Sequence, residues 1–241
     1  MKILGIDSSG IVASAAVADE KNIIAEFTVN NRQTHSQTLL PMIDKVMKMA
    51  EIEPDELDVI SVASGPGSFT GLRIGSATAK GIGLALNKPI VSVPTLEGLA
   101  YRMAFFDGII CPIMDARRNQ VYTAAYFMED RHLKVVIEQK AADIHEIIKQ
   151  LNDIGRKTIF LGDGVHVYND VIDAECHIEY LFAPAHMSMQ SAASTAVLGM
   201  LYFKEGRFES AGEHRPFYLR QSQAERERQE RLAKELFKNN F

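Results

Sequence analysis

The sequence predicts an α/β fold made of two similar lobes, each built around a mixed sheet. Three short strand-like runs within residues 2–29 precede a helical stretch at 34–50. The same order of three strands and a helix returns from residue 109 onward. Residues 57–63 form a nearly continuous apolar run of strand length, as expected of a strand buried on both faces, and 158–161 is predicted to be a strand of the second half. With 241 residues, 46% of them hydrophobic, the chain is long enough for two such cores.

Composition excludes several classes of protein. Charged residues make up 24% of the chain, which is typical of a folded domain and not of a disordered one. No apolar run approaches about 18 residues, so no membrane-spanning helix is expected, and the apolar start of the chain is too short for a signal peptide. The two cysteines, Cys111 and Cys176, lack metal-ligand spacing and indicate reduced thiols in the cytoplasm.

In the first half, the runs at 2–7, 11–18 and 23–29 are predicted to form a strand meander. The next segment has apolar residues at helical spacing, which predicts an amphipathic helix over 34–50. Those residues are Leu39, Leu40, Ile43, Val46, Met47 and Ala50, with Met42 and Met49 widening the face. The elements expected after it are a strand at 57–63, a helix at 70–86, a strand at 90–93 and a helix at 95–104.

The second half is predicted to repeat the first as an internal duplication. Its expected strands are 109–115, 120–127, 133–137, 158–161 and 178–182, and its expected helices are 142–151, 165–172 and 187–203. The pattern breaks near 103–108, which predicts an N-terminal lobe at 1–105 and a C-terminal lobe at 106–241. Residues 222–237 are dense in Glu, Arg, Gln and Lys, which fits either a solvated helix or a helix that docks on a partner.

Two facing βββαβα units are the architecture of actin-like ATPases. In that architecture the first hairpin of each unit holds phosphates through backbone N–H groups, and an Asp binds Mg²⁺. Asp7, Ser8 and Ser9 lie where the first such loop is expected, and Asp115 lies at the matching place in the second half. The alternative is that these residues form ordinary turns at the ends of strands.

The segment Gly-Pro-Gly-Ser-Phe-Thr-Gly-Leu-Arg at 65–73 predicts a strand, a tight turn and the start of a helix. Small residues then recur every four positions along that helix, at Gly71, Gly75, Ala79 and Gly83. Each glycine inside a helix costs about 1 kcal/mol relative to alanine, so a close approach by another element is expected as compensation. That element could belong to the same chain or to another one.

Other catalytic signatures are missing from the sequence. The seven histidines contain no pair at i,i+3 or i,i+4, so no metal site is predicted from them. No P-loop and no nucleophile elbow is found. The balance of 26 Lys and Arg against 31 Asp and Glu gives a net charge of −5, which disfavours a stand-alone RNA-binding module.

Five segments together give a resemblance that covers essentially the whole chain. They are GIDSS at 5–9, THSQTLLP at 34–41, GPGSFTGLRIG at 65–75, DARR at 115–118 and YLR at 218–220. With these segments the chain resembles the TsaB (YeaZ) family, which is similar to TsaD, the enzyme that transfers a threonylcarbamoyl group to N6 of tRNA adenosine 37.

The resemblance implies a non-catalytic partner of TsaD that works with the ATPase TsaE and meets tRNA only within the complex. It implies that the complex uses ATP and that the isolated chain holds no cofactor, with Asp7, Ser8 and Ser9 as a vestigial phosphate loop. In TsaD-like enzymes a His-x-x-x-His pair follows the glycine-rich helix and its next strand, whereas this chain has Thr95 and Leu99 there. No catalytic residue and no metal ligand is therefore expected.

The apolar and small-residue surfaces of the two helices of the first half indicate an interaction site. The resemblance implies that these helices bind TsaD and pair two copies of the chain when TsaD is absent. The predicted contact residues are Leu39, Leu40, Ile43, Met47, Gly71, Leu72, Gly75, Ala79 and Gly83. The alternative function is an active enzyme of the same fold, either a small-molecule kinase or a metallopeptidase-like protein.

Overall fold

The computed structural model describes residues 1–31 and 34–220. The first lobe contains β1 (Ile3–Asp7), β2 (Ala13–Ala18), β3 (Ile23–Val29), α1 (His35–Met49), a 3₁₀ turn (Pro54–Glu56), β4 (Val59–Gly65), α2 (Phe69–Leu86), β5 (Ile90–Pro94) and α3 (Thr95–Tyr101). The rest contains β6 (Ile109–Asp115), β7 (Gln120–Glu129), β8 (His132–Asp143), α4 (Ile144–Ile154), β9 (Thr158–Leu161), α5 (Gly164–Glu175), β10 (Tyr180–Phe182) and α6 (Ala192–Lys204).

The two sheets have the same topology, which confirms the predicted duplication. The first has the strand order β3-β2-β1-β4-β5, and the second has the corresponding order β8-β7-β6-β9-β10. In each, the first three strands form an antiparallel meander, and the remaining two pair in parallel through helical crossovers. The central strands β1 and β4 are buried along their whole length, as their nearly continuous apolar runs predict. The chain therefore has the two-lobed actin-like α/β fold.

Both faces of the first sheet are covered by helices. Helices α1 and α2 lie on one face and bury a core that includes Leu4, Ile60 and Val62. Helix α6 lies on the other face, against Ile3, Val59 and the β5 strand. It lies so close that a Cβ on Gly199 would meet the Ser61 side chain. In the second lobe α4 and α5 cover one face of the sheet, and α3 covers the other.

The predicted domain boundary needs a correction after residue 187. The sheets do separate between β5 and β6, near the predicted boundary at 105/106. Helix α6, however, packs on the first sheet, and the segment 205–220 (the C-terminal segment) continues across the same lobe. Ile90 and Glu209 exchange two backbone hydrogen bonds of 2.9 Å, and the Phe217 N–H donates to the Ser64 carbonyl at 2.7 Å. The end of the described chain therefore completes the first lobe.

Two element boundaries differ most from the prediction. Strand β8 extends to Asp143, whose side chain accepts a hydrogen bond from the His145 N–H and caps α4 there. Helix α6 begins at Ala192, because the residues before it cross between the lobes and Ser188 accepts a hydrogen bond from Gly162 N–H at 2.7 Å. The charged segment predicted at 222–237 lies outside the described residues.

Candidate functional site between the lobes

The loop after β1 turns its polar groups inward. Asp7 is 2% exposed, and its Oδ1 accepts hydrogen bonds from the Ser9 N–H at 2.9 Å and the Ser9 hydroxyl at 2.6 Å. Burial raises the pKa of Asp7, and the hydrogen bonds from Ser9 oppose that rise. His35, the first residue of α1, lies beside the loop, with its Nε2 at 2.9 Å from the Gly10 carbonyl oxygen. The loop N–H of Ser9 is thus already paired.

The glycine-rich turn before α2 packs directly on this loop. The Ser68 N–H donates to the Ser9 carbonyl at 2.6 Å, and the Ser8 hydroxyl donates to the Gly71 carbonyl at 2.8 Å. A Cβ on Gly67 would overlap the Ser9 carbonyl, and one on Gly71 would overlap the Ser8 carbonyl. The most distinctive motif of the sequence therefore covers the loop in which a phosphate cradle is expected.

The small-residue stripe of α2 faces the interior of the chain, which corrects the prediction that it forms a partner surface. A Cβ on Gly75 would lie 2.5 Å from the Ser8 hydroxyl, and one on Gly83 would lie 2.9 Å from the Ala211 Cβ. Ala79 is fully buried in the first core. Together with Gly71, these residues let the β1–β2 loop and the C-terminal segment approach α2 closely.

Most of the other predicted contact residues are also interior. Leu39, Ile43, Met47 and Leu72 are 1%, 5%, 7% and 1% exposed, because their helices use these side chains to cover the first sheet. Leu40 differs, with 57% of its surface exposed. Hydrophobic spacing identified the two helices but not which of their apolar residues face outward.

The outward side of α1 and α2 carries a different apolar set. Leu40 and Met49 are exposed on α1, and Leu84 is 63% exposed on α2. On the same side of α2, Ala77 is exposed and a Cβ on Gly81 would meet nothing within 4 Å. Met49 lies nine residues from Leu40, about 180° round α1, and is therefore on the opposite flank of that helix. We refer to Leu40, Ala77, Gly81 and Leu84 as the outer helical face. Exposed apolar residues on two neighbouring helices are typical of a protein-binding surface.

A cleft of about 780 Å³ lies between the lobes, bordered by the β1–β2 loop, the β6–β7 turn and the C-terminal segment. At its floor the Asp115 N–H and the Asp163 Oδ1 are 3.3 Å apart. Burial, and secondarily the charge of Asp115, raise the pKa of Asp163 to about 6. Arg117 and Arg118 line the cleft in the β6–β7 turn. Asp115, predicted as the counterpart of Asp7, is thus part of the cleft.

The two positions that replace the histidine pair are structural in this fold. The Thr95 hydroxyl is fully buried and accepts a hydrogen bond from the Gly65 N–H at 3.1 Å. Leu99 is 1% exposed and belongs to the core between α3 and the second sheet. Across residues 1–31 and 34–220, no three His, Cys, Asp or Glu side chains gather in a way that could hold a metal ion.

Sequence reasoning missed the aromatic wall of the cleft. Phe217 and Tyr218 of the C-terminal segment line it, and the Tyr218 ring stacks on Phe69 with centroids 4.4 Å apart. The Arg73 guanidinium lies 4.0 Å from the Phe69 centroid. The motif YLR at 218–220 was visible in the sequence, but nothing local indicated that it lies beside α2.

Comparison with known proteins identifies the family. A family model described as TsaD, tRNA N6-adenosine threonylcarbamoyltransferase, matches residues 22–228. The tRNA threonylcarbamoyladenosine biosynthesis protein TsaB of Bacillus subtilis is 34% identical, over 93% of this chain and 96% of its own length. The chain belongs to the TsaB (YeaZ) family. TsaB of Escherichia coli is 26% identical, over 93% of this chain and 96% of its own length.

Solved structures of TsaB-like proteins have the same fold. A Pseudomonas aeruginosa protein described as similar to peptidase YeaZ superposes with a TM-score of 0.79, covering 91% of this chain and 99% of its own. Its identity of 22% supports the shared fold and says nothing of activity. In the part of the chain that the structure describes, no helix is long and apolar enough to cross a membrane.

Proposed function

We propose that the chain is a non-catalytic subunit in the threonylcarbamoylation of tRNA adenosine 37, and that it acts by binding TsaD. The observation that carries this proposal is the 34% identity to a TsaB named for tRNA threonylcarbamoyladenosine biosynthesis, over nearly the full length of both chains. The match to the TsaD family model supports a common origin with the transferase. The ATPase TsaE and the tRNA complete the proposed complex, in the cytoplasm.

Two features of the site support a non-catalytic role. The β1–β2 loop is occupied by the chain's own groups, because Ser9 N–H is bonded to Asp7 and the Ser9 carbonyl is bonded to Ser68. Thr95 and Leu99 occupy the positions of the histidine pair and contribute to packing. A kinase of this fold needs an open phosphate loop, and a metallopeptidase needs ligands, so neither alternative is favoured.

The proposed binding surface for TsaD is the outer helical face. Its exposed leucines lie on two adjacent helices, and the small residues Ala77 and Gly81 precede Leu84 on the same side of α2. Small residues allow the helices of a partner to approach closely, and burial of the apolar side chains provides the driving force. Helix packing of this kind suits a TsaD built on a related fold.

The test combines co-purification with a tRNA modification assay in which each protein is omitted in turn. The double substitution Leu40→Glu and Leu84→Glu should abolish co-purification with the host's TsaD and the modification of tRNA. Val167→Glu is the matched control, because Val167 is similarly exposed, at 57%, but lies on α5 of the other lobe. Normal modification without this chain, or with the double variant, would contradict the proposal.

A further inference from the structure

The cleft between the lobes has a composition that differs from the rest of the molecule. Four arginines line it, namely Arg73, Arg117, Arg118 and Arg220, against the two carboxyl groups of Asp115 and Asp163. The whole chain has a net charge of −5. A basic cluster inside an acidic protein attracts a local anion without making the whole surface bind polyanions.

Arg117 and Arg118 are held in an unusual backbone conformation. Together with Asn119 they form three consecutive non-glycine residues with positive φ, at 61°, 57° and 58°. The Asp115 carboxylate stabilises this turn by accepting the Arg117 N–H at 2.7 Å. Both arginine side chains are exposed, and neither forms an ion pair with another described residue. Strained left-handed residues that present unpaired charges into a cleft are typical of a binding turn.

The part of the cleft that the C-terminal segment lines is aromatic. Phe217 is fixed by its backbone hydrogen bond to Ser64, yet its side chain is 48% exposed. Beside it, Tyr218 stacks on Phe69, and Arg73 covers Phe69 as well. Exposed rings next to arginines are the usual platform for unstacked bases of single-stranded RNA.

We propose that this cleft binds a nucleotide of single-stranded RNA, with its phosphates on Arg117 and Arg118 and its base against Phe217. The proposal rests on the proposed function, in which the chain works on tRNA. It goes further by assigning an RNA contact to this subunit itself. Asp115 and Asp163 at the floor provide acceptors for the amino group of a base.

An RNA nucleotide fits the cleft better than free ATP. The β1–β2 loop, which in this architecture would cradle the phosphates of ATP, is covered by the turn at Gly67 and Ser68. The guanidinium groups of Arg117 and Arg118 lie instead at an exposed turn, where they can reach consecutive phosphates of a strand that continues into solvent. Two phosphate contacts give weak binding, which suits a subunit that acts beside another RNA-binding protein.

The experiment measures fluorescence anisotropy of a fluorescein-labelled 12-nucleotide single-stranded RNA with the full chain, between 50 and 200 mM KCl. Arg117→Gln with Arg118→Gln should weaken binding at least about fivefold and flatten the log–log salt slope by about 1.4, at 0.7 per lost phosphate contact. Phe217→Leu should weaken binding about fivefold or more with an unchanged salt slope, because it removes a stacking face and no charge.

The matched control is Arg131→Gln with Lys149→Gln. Arg131 also has a positive φ, of 65°, but lies in the turn at the opposite end of β7, and Lys149 is exposed on α4. This control should bind RNA like the parent chain. Thermal melting followed by circular dichroism checks that every variant remains folded.

Three outcomes would overturn the proposal: no RNA binding by the parent chain at 100 μM, equal binding by the parent and the arginine variant, or displacement of the RNA by micromolar ATP. Co-purification with TsaD, measured on the same proteins, distinguishes a failure of the cleft proposal from a failure of the proposed function. If the arginine variant retains TsaD and its RNA affinity, only the cleft proposal fails. If the parent chain does not bind TsaD, the proposed function itself fails.

Discussion

Ser8 and Gly71 form a reciprocal contact between the β1–β2 loop and helix α2. The Ser8 hydroxyl donates to the Gly71 carbonyl at 2.8 Å, and the Ser8 carbonyl occupies the space that a Cβ of residue 71 would need. A glycine is required at this position because of a neighbour that is distant in sequence. Glycine destabilises the helix at this position, and the close contact with the β1–β2 loop compensates for that cost.

The first prediction tests that contact. Gly71→Ala should lower the free energy of unfolding by about 1–3 kcal/mol, because the new methyl group meets a backbone oxygen that cannot move aside easily. Gly81→Ala on the same helix is the control. Since no atom lies within 4 Å of its added Cβ, it should raise stability by about 0.5–1 kcal/mol through helix propensity. Urea unfolding of both variants checks this, and a destabilised Gly81→Ala together with a neutral Gly71→Ala would contradict it.

The second prediction concerns self-association. We expect the isolated chain to form a homodimer through the outer helical face, because its exposed leucines remain without cover when TsaD is absent. Light scattering should give a dimer for the parent chain and for Val167→Glu. It should give a monomer for Leu40→Glu combined with Leu84→Glu. A dimer that survives the double substitution would place the interface elsewhere.

The third prediction concerns pH. The folded pKa of Asp163, about 6, lies above the ordinary value of 3.8, because burial disfavours its charged form. This group therefore destabilises the folded state as pH rises from about 4 to 6, and the penalty is complete above that range. Asp163→Asn should be more stable than the parent by about 1–3 kcal/mol at pH 7. Urea unfolding at pH 4 should show a difference well below 1 kcal/mol, and a constant difference at both pH values would contradict the assignment.

The fourth prediction concerns nucleotide. Calorimetry with ATP and Mg²⁺ should give weak binding or none, because the Ser9 N–H is already paired with Asp7. A dissociation constant at or below about 1 μM, equivalent to roughly −8 kcal/mol, would show that the loop opens to accept phosphate.

The elements of the fold could be predicted because their signals are local. The alternating and helical spacings located every strand and helix of both sheets, and the repeated order predicted the duplication. The ends of the helices and strands were harder to predict from the sequence. Helix α6 begins at Ala192 and not at 187, since the preceding residues are fixed by contacts with the other lobe, such as the Gly162–Ser188 hydrogen bond.

The site was predictable only in part, because its contacts are distant in sequence. The spacing of Gly71 and Gly75 showed that something must approach α2 closely, but Ser8, which does so, belongs to another part of the chain. Residues 205–220 have no period that would indicate where they run, and their position depends on the pairing of Glu209 with Ile90. The cleft, which needs both lobes and this segment, could not be assembled from the sequence.

The return of the chain to its first lobe has a consequence for synthesis on the ribosome. Strands β1 to β5 emerge early, yet the helix that covers one side of their sheet is translated about 100 residues later, at Ala192–Lys204. Until then Ile3, Val59 and Val91 lie on an uncovered apolar surface, which later becomes fully buried. The nascent first lobe therefore matures only after α6 has been translated and exposes this apolar surface until then.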